Sequence, residues 1–330
     1  MDLTLDADQR DLRAGLRDHL ARAWSADRLR AAAEAPASVG DGWRDLAKLG
    51  VFALTVPEAA GGVGRGLADA AVVLEELGRS LVPGPLVATL LTAALPDDPV
   101  SGAADGGAVV TTLDTADPVP VVEHLGLASH VVIVTDDGLF LLPAERLEAV
   151  PVATPLDPLS PVWHVTGPLT GEARGRRIGP AAAAARWRLH GTALTAALQV
   201  GVAQGGLDLA AGYARERAQF GRAIGSFQAV KHLLADSLVR VDLARAAVLV
   251  AALTVDDPAA GDPDEAVSAA KVLADDAATS GGRSCVQVHG GMGFTWEVLA
   301  HLYLKRAWVL ETCFGGPDEH ARRLADALSA

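Results

Sequence analysis

The segment YARERAQFGRAIGSFQAVKH, residues 213–232, sets four basic side chains, Arg215, Arg217, Arg222 and Lys231, against the single acid Glu216. The chain around it is acidic, with a formal net charge of -13. Phe220 and Gly221 interrupt an otherwise helical stretch, so the spacing predicts a helix end followed by a new helix start. Cationic groups and free backbone N–H donors meet at such a junction, and an anion is well held there. Arg217 offers a planar fork to a phosphate, and Phe220 an aromatic face to a flat ring. On charge alone the segment also reads as a helix–turn–helix with solvated arginines, so its neighbours decide its meaning.

Alanine and leucine at helical spacing run from Ile178 almost to the end, with breaks near Gly225, in DDPAAGDPD at 256–264, and at Gly290 and Gly291. Before Ile178 the pattern is of short β-rich runs: AVVTTLD, HVVIVT, LFLLPA and VWHVT. Residues 130–142 read as a hairpin across Asp136, Asp137 and Gly138. A Pro/Gly/Asp-rich stretch, LPDDPVSGAADGG, separates these runs from an N-terminal region with Leu12, Leu16, Leu20, Leu46, Leu49, Val73, Leu74 and Leu77 at helical spacing. The expected architecture is mainly α with a small β domain: a helical domain over 1–95, a shortened β domain over 96–177, and a helical bundle over 178–330.

The chain has 330 residues, 50% of them hydrophobic, enough for a sizeable core or two. Its acidity, with pI near 5.1, disfavours nucleic acid and anionic lipid as partners. Two cysteines, Cys285 and Cys313, cannot form a disulfide framework and read as small core residues. The polar start MDLTLDADQRDL lacks the apolar core of a signal peptide, and no uninterrupted apolar run reaches the length of about 18 residues that spans a bilayer. A cytoplasmic location is expected. No His/Cys/Asp spacing suggests a metal site.

Two further stretches matter. In CVQVHGGMGF, 285–294, Gln287 closes a helix and a glycine pair follows, either as a helix stop or as room for a bulky ligand to approach the backbone. In VPEAAGGVGRGLADAAVVLEELGRSL, 56–81, the run GGVGRGL imitates a dinucleotide-binding turn, but Leu67 stands where the last glycine belongs and no β-α-β unit follows. With RxxFGxxIxxFQAxxH at 217–232, these stretches in this order and spacing resemble the acyl-CoA dehydrogenase family of flavoenzymes over most of the chain. The resemblance implies an N-terminal helical domain, a middle β domain and a C-terminal four-helix bundle. It implies FAD lying between protomers, with Arg217, Phe220, Gln228, Gln287, Gly290 and Gly291 holding the pyrophosphate and adenosine end of a flavin whose ring sits in the neighbouring subunit.

Family chemistry also needs a carboxylate to remove the α proton of an acyl thioester. The resemblance puts that base at Phe314 or, in other members, at Gly191, and both positions lack an acid. The arginine that meets the pantetheine chain in relatives falls at Thr192. The FTE-G-SD loop and W-I-[TS] strand of relatives are missing between 96 and 178. The expectation is therefore the shorter subunit of a heteromeric α2β2 acyl-CoA dehydrogenase, resembling short subunits that act on steroid side chains and other bulky acyl-CoAs. It would share FAD with a longer partner that carries the glutamate, and electrons would leave to an electron-transfer flavoprotein. Two alternatives stay open: a self-sufficient homodimer using Glu311 as a relocated base, and a flavin-free scaffold. Glu311 otherwise reads as a polar helix residue or a partner for Lys305, Asp208 as an acid facing water, and Glu75 and Glu76 as a solvated helix end. His232 and His289 flank the expected cofactor end and read as packing or hydrogen-bonding groups.

Overall fold

The computed structural model describes residues 3–35 and 39–329. Its helices are α1 (Ala7–Ala23), α2 (Ala26–Glu34), α3 (Gly40–Lys48), α4 (Leu67–Arg79), α5 (Leu86–Ala93), α6 (Ala181–Glu216), α7 (Gln228–Asp256), α8 (Pro263–His289), α9 (Ala300–Thr312) and α10 (Pro317–Ser329). Two compact units result: Met1–Arg30, Ala71–Val82 and Ala193–Ala330 form the first, and Ala31–Ala70 with Pro83–Thr192 the second. No helix among the described residues is long and apolar enough to cross a membrane.

The first unit is helical, and its breaks follow local capping chemistry. Asp257 ends α7 and accepts from the Ala259 amide; Asp262 caps α8 by accepting from the amides of Asp264 and Glu265, with Pro263 at the first helical position. Glycine brings α4 and α6 together backbone to backbone. A Cβ on Gly201 would lie 1.9 Å from the Glu75 carbonyl oxygen, and one on Gly78 would lie 2.1 Å from that of Leu198.

This close approach overturns the reading of Glu75 and Glu76 as a solvated end. Both are buried: Arg17 Nε donates to Glu76 at 3.0 Å and Arg245 Nε to Glu75 at 2.9 Å. Burial raises the Glu75 carboxyl above its ordinary range, with Arg245 opposing. Asp208 is exposed, as expected, but its carboxylate also accepts from Arg79 Nε at 2.7 Å.

The second unit carries a four-stranded sheet in the order β1 (Val110–Asp114), β3 (His130–Thr135), β4 (Gly138–Pro143), β7 (Arg176–Pro180), and a three-stranded sheet in the order β2 (Val121–Glu123), β6 (Val162–Val165), β5 (Ala149–Pro151). The β3–β4 hairpin pairs Val131 with Leu142 and Ile133 with Phe140 across Asp136 and Asp137, where the sequence places it. Leu113, Val122, Ile133, Phe140 and Val165 form its apolar core. The short strands β2, β5 and β7 escape sequence reading; β7 is RRIGP, a poor strand former that pairs with β4 through an irregular register. Near GGVGRGL a 3-10 turn, Glu58–Ala60, ends at Gly61 with φ 84, and α4 begins at Leu67 without a preceding strand.

Candidate functional site

The opening segment folds as the end of α6, a two-residue hairpin loop and the start of α7. The hairpin strands β8 (Ala218–Gln219) and β9 (Arg222–Ala223) pair antiparallel, with Gln219 opposite Arg222. Phe220 and Gly221 between them have φ of 54 and 78, so both loop residues are left-handed, the geometry of a type I′ turn. Sequence reasoning foresees the break but not this geometry. Asn-Gly suits such a loop, whereas phenylalanine in the left-handed region costs about 1–2 kcal/mol. The strained residue is also 91% exposed, an arrangement that self-packing does not explain.

Phe220 meets Phe227 edge-on at 6.1 Å, and Arg222 stacks over the Phe227 ring at 4.1 Å. Arg215, Arg217 and Lys231 are exposed, and their side chains make no hydrogen bond or ion pair among the described residues. Gln228 is the first residue of α7, exposed, at an N-terminus that no side chain caps. Free cations, an uncapped helix start and an exposed ring therefore share one short stretch.

The end of α8 joins this stretch through a common core. Cys285, Val286 and Val288 of α8 cluster with Ala210 and Ala214 of α6, and Ile224, Val230, Leu233 and Tyr213 pack on them. Tyr213 stacks on His289 at 4.4 Å, and His289 Nδ1 lies 2.8 Å from the Cys285 carbonyl. His289 is thus a packing residue, His232 is exposed on α7, and burial pushes the Cys285 thiol up to about 12, which keeps it unreactive. Cys313 is half-buried.

Gln287 is exposed, and α8 stops at Gly290 with φ 61. A Cβ on Gly290 or Gly291 would meet nothing within 4 Å, whereas one on Gly293 would lie 2.7 Å from the Val286 oxygen. Gly293 serves packing; Gly290 and Gly291 border open space. These residues fit the nucleotide end of a flavin: cations for a pyrophosphate, an aromatic face, and glycines that keep the backbone accessible.

Two exposed aromatic residues follow the Gly290–Gly291 pair and lie outside the expected set. Phe294 is 75% and Trp296 52% exposed, in a chain with only 4% aromatic residues. Arg30 Nε donates to the Trp296 carbonyl at 2.7 Å, and Lys305 lies over the Trp296 ring at 5.6 Å rather than beside Glu311. Their place just after the Gly290–Gly291 pair, in a sequence poor in aromatics, is the signal that would have found them.

The expected base positions are both described. Phe314 lies in the α9–α10 turn with φ 57, and its carbonyl accepts from His320 Nε2 at 3.0 Å. Glu311, one turn earlier, is half-buried, and its carboxylate has no partner among the described residues. In the second unit, Gly191 is buried in α6, and Thr192 Oγ1 donates to the Arg188 carbonyl at 2.7 Å.

Phe220→Asn is expected to relieve the turn and raise stability by about 1 kcal/mol in urea denaturation. A loss of stability would show that the ring is held by the chain itself.

Residues 6–96 match the family model of the acyl-CoA dehydrogenase N-terminal domain, and residues 182–328 that of the C-terminal domain. Acyl-CoA dehydrogenase FadE34 of Mycobacterium tuberculosis is 36% identical over 314 residues, covering 88% of this chain but 43% of that protein; the chain thus spans under half of that relative. Among solved structures, the Tcur3481–Tcur3483 steroid ACAD is similar with TM-score 0.84 and 28% identity, over 99% of both chains. The ChsE4–ChsE5 complex from Mycobacterium tuberculosis is similar with TM-score 0.81 and 26% identity, over 100% of this chain and 99% of that one.

Proposed function

The chain belongs to the acyl-CoA dehydrogenase family, and from that premise we propose that it is a subunit completing a flavin site whose ring and catalytic base reside on a longer partner. FAD held there would supply a hydride acceptor for the acyl β carbon, while a carboxylate on the partner would remove the α proton. The observation that carries the proposal is the hairpin: a strained Phe220, 91% exposed, beside Arg215, Arg217 and Lys231, whose side chains have no hydrogen bond or ion pair among the described residues. Arg217 would grip the pyrophosphate, Phe220 would cover the adenosine, and Gln228 and Gln287 would donate hydrogen bonds. Gly290 and Gly291 would leave the backbone open to the nucleotide.

Phe314 at the first expected base position and Gly191 at the second support a chain without its own base. The likeness to the ChsE4–ChsE5 complex supports a heteromeric assembly, and that to the steroid ACAD a bulky acyl-CoA substrate. An electron-transfer flavoprotein as acceptor follows from the family. A second reading rests on Glu311, half-buried one turn before Phe314, its carboxylate without a partner among the described residues. There the chain is a homodimer with its own base.

Purification decides between these readings. The subunit proposal expects a colourless chain alone and a yellow, active complex when the chain is co-expressed with a longer family member carrying the glutamate. A chain that is yellow and active alone, and inactive after Glu311→Gln, supports the homodimer. Colourless preparations in every combination support a scaffold. Phe314→Glu in the isolated chain is expected to produce no dehydrogenase activity; its appearance would show that the chain holds a complete flavin site.

A further inference from the structure

The α9–α10 connection runs from Cys313 to Gly316, and in it Phe314 has φ 57 and Gly315 φ 95. Glycine takes the left-handed region freely. Phenylalanine does so only where its surroundings impose it. The imposing groups come from one face of α8, where Ser268, Lys271 and Asp275 recur at helical spacing and are buried. Lys271 Nζ donates to the carbonyls of Leu310, at 3.2 Å, and Glu311, at 3.1 Å, and so secures the end of α9.

The far side of the turn is held by His320, which is 1% exposed and is the buried residue of α10. Its Nε2 lies 3.0 Å from the Phe314 carbonyl and its Nδ1 3.2 Å from Ser268 Oγ. A carbonyl oxygen only accepts, so Nε2 carries the proton. In a neutral ring Nδ1 then accepts from the Ser268 hydroxyl. Both ring nitrogens are therefore engaged, and the tautomer is set by its partners.

We propose that His320 is the positioning residue of the 313–316 turn: a neutral imidazole strung between Ser268 and the Phe314 carbonyl that holds the turn left-handed and releases it when charged. Protonating the ring in place would bury a cation close to Arg323 of α10 and to Lys271 of α8, itself paired with Asp275, with Glu319 and the Phe314 carbonyl opposing. An opened turn lets water solvate the same charge. Burial accordingly lowers the affinity of His320 for a proton below the ordinary value of 6.5.

The sign follows from linkage. Neutral His320 stabilises the closed turn fully above the ordinary histidine value, and that contribution is lost as pH falls from there through the lowered value of the closed state. The family resemblance implies a base at position 314, so the functional weight of the turn rests on the subunit reading above. The clamp itself does not.

Amide exchange of segment 313–320 in the full chain, followed by mass spectrometry between about pH 7.5 and 5, tests the proposal. Protection, corrected for intrinsic exchange, should fall by up to about tenfold per pH unit below about 6.5, with segment 263–289 unchanged. His320→Gln keeps an amide donor for the Phe314 carbonyl and should retain the protection while abolishing its pH step. His320→Leu fills the space without a donor and should lose at least about tenfold protection at every pH. Ser268→Ala removes the donor that favours the neutral ring, brings the closed-state value nearer the ordinary one and should shrink the step from its low-pH end. Wild-type protection that is flat across the range, or an undiminished step in Ser268→Ala, would overturn the proposal, as would full protection in His320→Leu. Exchange needs neither flavin nor a partner, so failure here and failure of the subunit reading are told apart.

Discussion

Lys271→Met is expected to destabilise the chain by about 3–5 kcal/mol in urea denaturation, the largest effect of any single change considered. Lys271 is 0% exposed and Asp275 is 2% exposed. The ammonium lies 2.7 and 2.9 Å from the two carboxylate oxygens, and Gln199 Nε2 donates to the same carboxylate. Burial nevertheless pushes the Asp275 carboxyl up to about 6, against the pull of Lys271. The pair as a whole is therefore no great stabiliser, because desolvation offsets the attraction. Removing one member is different.

Methionine fills the volume but strands the carboxylate and frees the carbonyls of Leu310 and Glu311. The double variant Lys271→Met/Asp275→Leu removes both charges and should recover most of the loss. The sign of the pH effect provides a second check. A carboxyl raised above its unfolded value favours folding at low pH, and that contribution is lost as pH rises from 3.8 through about 6. Without Lys271 the folded value rises further, so the single variant should lose least at low pH and the window should extend upward. A single variant within about 1 kcal/mol of wild type at neutral pH would show that the pair is reached by water.

Arg217→Ala is expected to lower flavin retention of the co-expressed complex by one to two orders of magnitude. Losing a charge-assisted hydrogen bond to a phosphate is worth about 1.5–3 kcal/mol. Stability should move by less than about 0.5 kcal/mol, because the side chain is exposed and has no partner among the described residues. That divergence separates a ligand contact from a structural one. Arg217→Lys keeps the charge but not the planar fork, and an intermediate loss is expected. Flavin released on ultrafiltration, read by fluorescence, is the measurement; full retention in Arg217→Ala removes Arg217 from the site.

Features set by neighbours in the chain were legible in the sequence. The α7–α8 break shows itself because Asp257 and Asp262 cap with their own side chains and Pro263 takes the first helical position. The β3–β4 hairpin shows itself because two β-branched or apolar runs flank a two-residue loop. The expected cofactor residues could be named only through the motif resemblance; their exposure and the common core beneath them come from packing. The Lys271–Asp275 pair is the opposite case. At a spacing of four on a helix it reads as an ordinary surface ion pair, and only the seating of α9 over α8 removes it from water.

The sequence by itself determined the main helical segments, the β3–β4 hairpin and their order, which follow from residue identity and local spacing, and through its motifs the resemblance to the family. Tertiary structure alone decided that Glu75, Glu76, Lys271 and His320 are buried and that Phe220 is not. Burial depends on which distant segments meet. Here those meetings turn on contacts such as Gly201 against the Glu75 carbonyl, between residues more than a hundred positions apart, which no local pattern encodes.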